Sequence, residues 1–558
     1  MPLEPKGQFD LDSVSPAELD RIVTEMGGQR QFARHYGVAR STLQLRLNKV
    51  HRDPFHHVEP AAPRIEAPGA GVRRYILTAA QCETALHEDF LTNLEAYRDY
   101  LHRTGSCEIM VSGFTYNKRL FTEHEKDKQP SWHYRLLPYM VHDRVRLSEH
   151  VEFCGEMNSL PTKQTPLSGF ETHTKHRWGI FPHAKLQLQA VPTMKHAPTK
   201  HNLTTGCVTR PNYVQKDAGI KAQFHHALAA VLVEIDDATG CFFVRHLDAE
   251  DDGSFYDLDV RVQTQRDRSP RGNTPLITSR HRVEAINWGD IHTAQLDADV
   301  ARACFGYYPV EERGQPRRWV KVEDSNTMLD ALRPKFQFLH DVSDFQARNH
   351  HNLRDPHHMF ALFCEGVDSV EDEMREVATF IEETRRDFCQ TVVVESNHDL
   401  ALRRWLKEAD YRQDPLNAEF FLDCQKRSYR AIRTREKNFS VFEYVLKDYF
   451  EGVTCEGVRF LREDESFVVA DIEKGMHGHL GANGARGTPK TFTRAGAKST
   501  TGHTHTAQII DGAYVAGTTS KLDLGYNKGL SGWSHSHVVT LPNGKRQIIT
   551  MQNGKWRL

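Results

Sequence analysis

Apolar positions along the chain fall into two regimes. Over residues 16–50 they recur at helical spacing: Leu19, Ile22, Val23 and Met26 mark one helix, stopped by Gly27-Gly28. Next, Ala33 is small where two helices would cross, Gly37 permits a tight turn, and Val38, Leu43 and Leu47 face a second helix opened by Ser41-Thr42 as cap. From Val283 onward the apolar residues come in short β-prone runs, most of them ending in oxygen and nitrogen donors. The segments are Val283–Asp297, Phe336–Asp344, Thr391–Asp399, Ser466–His479 and Thr501–Gln508. Between them, periodicity predicts helices over Thr293–Ala303, Asn326–Leu332 and Ser369–Asp387, and a mostly helical insertion over 400–450. After Gly502 the chain turns to β character, with Pro542-Asn543-Gly544-Lys545 as a hairpin turn. Alternating strands and helices that finish in strands predict an α/β fold: a two-sheet sandwich flanked by helices.

The stretch between these regimes carries weaker signals. Arg52–Arg73 is rich in Pro, Ala and Gly without periodicity, so residues 52–73 are expected to be a flexible linker. In residues 74–280, RYILTAAQ, ETALHEDFLTNLEAYRDYLHR and CEIMVSGFTY make one β-α-β unit, and the segment is expected to be an accessory α/β domain for substrate holding or oligomer contacts. Its histidines (His173, His176, His183, His225, His226) follow no D-x-H-like strand end and are expected to be structural. The expected division is therefore 1–51, 52–73, 74–280 and 281–558.

Composition adds bounds. A chain of 558 residues exceeds one core, and 39% hydrophobic with 26% charged residues describes an ordinary globular protein. No apolar run reaches membrane-spanning length and the first residues lack signal-peptide character, which predicts no membrane partner and a cytoplasmic location. Ten scattered cysteines without a C-x-x-C pair suit reduced thiols, and 32 histidines point to a nitrogen- and oxygen-rich metal site. With 72 basic against 74 acidic residues, overall charge says nothing about a polyanionic partner, so local charge must decide. Arg21 to Arg52 holds seven Lys/Arg and one acid. The run GVARSTLQLRL resembles the helix-turn-helix of Fis-like DNA-binding proteins, which implies that Arg40, Ser41, Thr42, Gln44 and Arg46 face a major groove. A plain helical hairpin for packing is the alternative.

Taken in order, the strand-end motifs D-x-H, D-x-x-D, N-H-D, H-x-H and G-H-x-H resemble those of the calcineurin-like metallophosphoesterases, whose fold is an αββα-type sandwich. The resemblance implies two divalent cations, Mn²⁺ first, with Mg²⁺, Fe²⁺ or Zn²⁺ as alternatives. It implies Asp341 as the bridge, Asp290, His292 and His505 on one cation, and Asn397, His477 and His503 on the other. His398 then assists the leaving oxygen, and Asp344 orients His398. In HGH the ligand is taken as His477, with His479 left as a substrate contact. The family's glycines before the bridging Asp and before the Asn are His340 and Ser396 here.

Such a centre can hydrolyse many phosphate esters. Three basic regions favour DNA: the N-terminal module, the Gly-rich loop with Arg486, Lys490, Arg494 and Lys498, and the insertion with Arg403, Arg404, Lys426, Arg427, Arg430, Arg433, Arg435 and Tyr429. The catalytic half is thus similar to SbcD-type nucleases, and the full layout to the metallophosphoesterase DNases with which tailed phages degrade host DNA. The alternatives are a phosphatase or cyclic phosphodiesterase, and a non-enzymatic DNA-binding regulator. Homo-oligomerisation, as a dimer or higher, is expected of a protein that holds duplex DNA.

Overall fold

The computed structural model describes residues 16–52, 71–115, 130–265, 274–311, 317–322, 326–349, 355–525 and 527–558, with a few isolated positions besides. It is a mixed α/β structure of several sheets.

Three helices, α1 (Pro16–Glu25), α2 (Gln29–Tyr36) and α3 (Arg40–Arg52), close on Leu19, Val23, Phe32, Leu43 and Leu47. Gly37 ends α2 in the left-handed conformation (φ 67°), where a side chain would be strained. α3 begins at Arg40, ahead of the expected cap, so Ser41 and Thr42 lie in its first turn. Most of the expected linker lies outside the described residues; within it Phe55–His56 pairs with Trp132–His133 as a two-residue ladder.

Twenty strands build the three largest sheets of the rest. The first nine are β1 (Val72–Gln81), β2 (Ser106–Phe114), β3 (Arg144–Arg146), β4 (Val151–Cys154), β5 (Trp178–Phe181), β6 (Leu188–Val191), β7 (Lys200–Thr204), β8 (Ala229–Asp236) and β9 (Cys241–Asp248). Then follow β10 (Ala285–Asn287), β11 (Phe336–His340), β12 (Gln390–Val394), β13 (Arg459–Leu461), β14 (Val468–Val469) and β15 (Ile472–Glu473). The last are β16 (Lys498–Thr501), β17 (Gln508–Ile510), β18 (Ala513–Val515), β19 (Ser536–Thr540) and β20 (Arg546–Thr550). A six-stranded sheet runs β13-β12-β11-β10-β19-β20, a four-stranded sheet β9-β8-β1-β2, and a ten-stranded sheet β14-β15-β16-β18-β17-β6-β7-β5-β4-β3.

The ten-stranded sheet takes strands from both sides of the expected 280/281 boundary: β6 pairs antiparallel with β17. Residues 74–280 therefore do not stand apart as an accessory domain. The joining strand β6 has only four residues and its partner β17 lies more than 300 residues on, and periodicity cannot report such pairing.

One face of the six-stranded sheet (Ile286, Leu339, Val393, Val539) packs on helices α5 (Ala298–Phe305), α6 (Val370–Thr384) and α7 (Ala401–Glu408) through Val300, Val377, Ile381 and Leu402. The opposite face meets the ten-stranded sheet, Val538 and Ile548 packing with Ile509 and Ala516. The four-stranded sheet lies on the same ten strands through Leu77, Val231 and Val233, and carries α4 (Glu88–Leu101) on its outer face through Phe90 and Leu94. α5 starts later than the predicted Thr293 because Asp297 is its N-cap, accepting from Val300 N at 3.0 Å. In the insertion, α7 and α8 (Ala418–Thr434) are the principal helices.

Candidate metal centre

The carboxyl ends of β10, β11 and β12 open onto the same space as the loops after β15 and β16. Residues from all five loops meet there. Asp290, His292, Asp341 and His505 each offer a donor atom within 4.8 Å of the others, and so do Asp341, His477 and His503. Asp341 belongs to both groups. His477 Nε2 lies 3.2 Å and His292 Nε2 3.6 Å from Asp341 Oδ2, and His505 Nε2 lies 3.2 Å from Asp290 Oδ2.

Among the described residues, several of these atoms are buried without a hydrogen-bond partner: Asp290 Oδ1, Asp341 Oδ1, Asn397 Oδ1, Nδ1 of His477 and Nδ1 of His505. Buried polar atoms are seldom left so, because desolvation costs on the order of 1–3 kcal/mol each. Nitrogen and oxygen donors converging on one space fit divalent cations of borderline hardness. His292 Nε2 and His505 Nε2 stand 3.0 Å apart. His292 Nδ1 lies 3.0 Å from Asp344 Oδ1, a partner that can only accept, which places a proton on Nδ1 and turns Nε2 toward Asp341 and His505.

The backbone is bent to deliver these donors. His292, Asp341, His503 and His505 adopt left-handed φ of 46°, 45°, 74° and 54°. Each such residue costs on the order of 1–3 kcal/mol and persists where the surroundings over-determine it, typically at functional sites. Gly502 is required by proximity: a Cβ there would lie 2.1 Å from Asp290 Oδ1. His503 N donates to the other oxygen, Asp290 Oδ2, at 2.7 Å.

Charge follows the same layout. Burial opposes ionisation of Asp341, but His477 and His398 outweigh it and hold its carboxyl well below the usual range. Burial also opposes a charge on His292, yet the hydrogen bond to Asp344 and the nearby carboxylates push it up to about 9. Partial burial and the neighbouring His477 bring His503 down to about 4.

The structure corrects one role. Asp344 directs its carboxylate to His292, while His398 Nδ1 lies 3.1 Å from the backbone carbonyl of Asp344 and 3.6 Å from its carboxylate. Asp344 therefore positions a candidate ligand first, and its main chain orients His398. A carbonyl only accepts, so His398 carries its proton on Nδ1. His479 turns away to Glu463 (3.1 Å), which leaves His477 as the H-x-H residue beside Asp341. The two non-glycine positions are accommodated by polar contacts: His340 Nε2 lies 3.2 Å from Asn287 Nδ2, and Ser396 Oγ accepts from Asp399 N at 3.1 Å.

Sequence reasoning gave no role to Asp399, which accepts from Ser343 N at 3.1 Å and so ties the loop after β12 to the loop after β11. Burial and the neighbouring Asp341 push its carboxyl up to about 7. Its place in N-H-D was the available signal. Trp533, whose ring stands 4.2 Å from that of His505, had none.

Basic residues border the centre unevenly. Arg403, Arg404 and Lys407 of α7 line a cavity of about 440 Å³ that also touches Asn397 and His479. Lys490 and Arg494 line an adjoining one of about 480 Å³ with His477 and His479. A third shares Arg403 and Lys407 and reaches the exposed Tyr429. Arg486 and Lys498 are exposed without lining these cavities, as are Lys426, Arg430, Arg433 and Arg435. Arg427 is taken up by Glu436 (2.7 Å) and the Phe439 ring. In α3, Arg40, Ser41 and Thr42 are exposed; Gln44 and Arg46 are half-buried.

Over 492 residues the chain is 38% identical to Protein A1 of Escherichia phage T5, covering 87% of this chain and 83% of the relative. The chain belongs to the Protein A1 family. No family model and no solved structure matches this chain. Among its described residues no helix is long and apolar enough to cross a membrane.

Proposed function

We propose that the chain is a metal-dependent deoxyribonuclease, with a calcineurin-like metallophosphoesterase sandwich as its catalytic fold. The observation that carries this reading is Asp341, buried and common to two groups of candidate ligands that end in unpartnered atoms. Asp290, His292 and His505 would hold one cation with it, and Asn397, His477 and His503 the other. Bound there, two divalent ions, Mn²⁺ by choice, would supply positive charge against a phosphodiester and acidify water. Asn397 contributes no charge, so less of that positive charge is neutralised than with a third carboxylate beside Asp290 and Asp341. His398, its Nδ1 proton fixed on the Asp344 carbonyl, has Nε2 to exchange a proton with the departing oxygen.

DNA is favoured over smaller esters by the basic cavity walls beside Asn397 and His477, and by Tyr429 in the third cavity, an arrangement suited to phosphates and bases together. The exposed Arg40, Ser41 and Thr42 at the start of α3 support a helix-turn-helix reading of the N-terminal helices. The relative's phage source agrees with a role in breaking down host DNA.

The test is hydrolysis of circular and end-labelled DNA with Mn²⁺, Mg²⁺ and Zn²⁺. Wild type should degrade DNA with Mn²⁺, and Asp341→Asn should lose at least about 10³-fold in rate while DNA binding persists. Undiminished cleavage by Asp341→Asn, or rapid turnover of nitrophenyl phosphate esters beside inert DNA, would overturn the proposal.

A further inference from the structure

The strand orders hold a symmetry. In the ten-stranded sheet, β14-β15-β16-β18-β17 is followed outward from the centre by β6-β7-β5-β4-β3. Matching from the two edges inward pairs β14 with β3, β15 with β4, β16 with β5, β18 with β7 and β17 with β6. In each set, chain order is the same. The directions agree at every step: antiparallel, parallel, parallel, antiparallel. The two sets meet antiparallel at β17 and β6, where Gln508 pairs with Gln189 and Ile509 with Leu188. Exchanging Gln508 for Leu188 and Ile509 for Gln189 returns the same two pairs, as a two-fold axis between them requires.

The facing layer obeys the same rule. β10 pairs parallel with β11 and antiparallel with β19, which pairs antiparallel with β20; β1 does so with β2, β8 and β9. Hydrogen bonds outside the ladders match as well. Thr519 N donates to Asp290 O at 2.8 Å, and Val208 N to Ala79 O at 2.8 Å. Asp297, the N-cap of α5, donates its N–H to Thr519 O at 3.1 Å; His87, the N-cap of α4, donates to Val208 O at 3.0 Å.

These contacts align the two halves residue by residue. Ala79 stands where Asp290 does, and Ser112, paired with Ala79, stands where Asp341 does. Thr518 N donates to Ser534 O and Ser534 N to His505 O, as Cys207 N donates to Ala227 O and Ala227 N to Ala184 O, so Ala184 takes the place of His505. Among the described residues β12 is reduced to a single parallel bridge, Met140 with Val111, and β13 has no counterpart, so no ladder carries an equivalent of Asn397 or His398. In place of a donor set, Ala79, Phe114, Ala184 and Cys207 are fully buried against one another. The nearby Cys154, Glu156 and His173 could form a donor group, but Arg144 donates to Glu156 at 2.8 Å and contacts His173, placing a cation there already.

We infer that residues 72–248 are a second copy of the site-bearing unit, its centre closed by apolar side chains, and that the two copies make within one chain the interface two subunits would make. The strand correspondence stands by itself; the expected number of metal ions rests on the proposed function.

Two measurements on the full chain test it. Mn²⁺ bound at saturation, counted after desalting, should reach two per chain and vanish in the Asp290→Asn/Asp341→Asn double variant. Ions retained by that variant and lost with His173→Ala would show a working centre in the first copy and overturn the inference. If wild type binds no Mn²⁺, the metal reading fails, and the second arm still decides the internal pairing. Gln189→Cys with Gln508→Cys should close a disulfide within one chain on mild oxidation. A bond only between chains, or none while both thiols still react with maleimide, would overturn it.

Discussion

Asp344 touches no reacting group, yet two histidines depend on it. Its carboxylate keeps the His292 proton on Nδ1, so Asp344→Asn should lower Mn²⁺ affinity by about 10–100-fold with the fold intact, read by titration calorimetry. Gly502→Ala would drive a methyl group to 2.1 Å from Asp290 Oδ1; thermal or urea unfolding should show a loss of about 1–3 kcal/mol together with weaker Mn²⁺ binding. The candidate ligands were legible because each follows a β-prone run within a few residues, a local pattern. The partner of Asp344 was not, since two histidines lie within reach and only side-chain rotation decides between them. Asp399 was hidden for a similar reason: its contact, Ser343 N, is 56 residues away.

Elements with strong periodicity and a capping residue were predicted nearly as they stand. Ser369 caps α6, its Oγ accepting from Asp372 N at 3.1 Å, and Gly544 (φ 76°) turns the β19–β20 hairpin. The buried polar seam of the four-stranded sheet left no such trace. Arg74 Nε donates to Glu234 Oε1 at 2.8 Å, Arg245 donates to Glu234 Oε2 at 2.6 Å and to Asp257 Oδ2 at 2.8 Å, and Tyr97 caps Asp257 at 2.6 Å. Alternating charges on β-strands read as solvated faces, whereas here they are buried. Removing one member strands its partners, so Glu234→Ala should cost about 3–5 kcal/mol in urea denaturation. Because this seam lies in the first copy, the same variant should leave the Mn²⁺ count per folded chain unchanged.

Across the whole molecule, burial of neutral histidines sets a pH limit. Burial lowers His201 to about 3, His537 to about 3 and His183 to about 4. In the unfolded chain such groups take up protons near pH 6.5, while in the folded chain they stay neutral. Their folded values are depressed, so the folded state loses stability as pH falls from about 6.5 toward these values. The urea midpoint should drop between pH 7.5 and 5. His201, fully buried against Trp178 with no hydrogen-bond partner for either ring nitrogen among the described residues, is the cleanest probe. His201→Phe should shallow that drop; an unaltered slope would show that other groups carry it. At this scale the sequence was least informative: the ten-stranded sheet joins segments that share no obvious pattern, because hydrogen bonds between backbones constrain side chains only weakly.

β10, which leads to Asp290, lies between β11 and β19, and His503 and His505 are contributed more than 200 residues after Asp290. A ribosome making this polypeptide has therefore exported Asp290 and Asp341 long before their companions exist. Every nascent fragment that stops short of His505 carries an unfinished pocket, and translation works as a delay line that holds the two aspartates idle until the last histidines have been made.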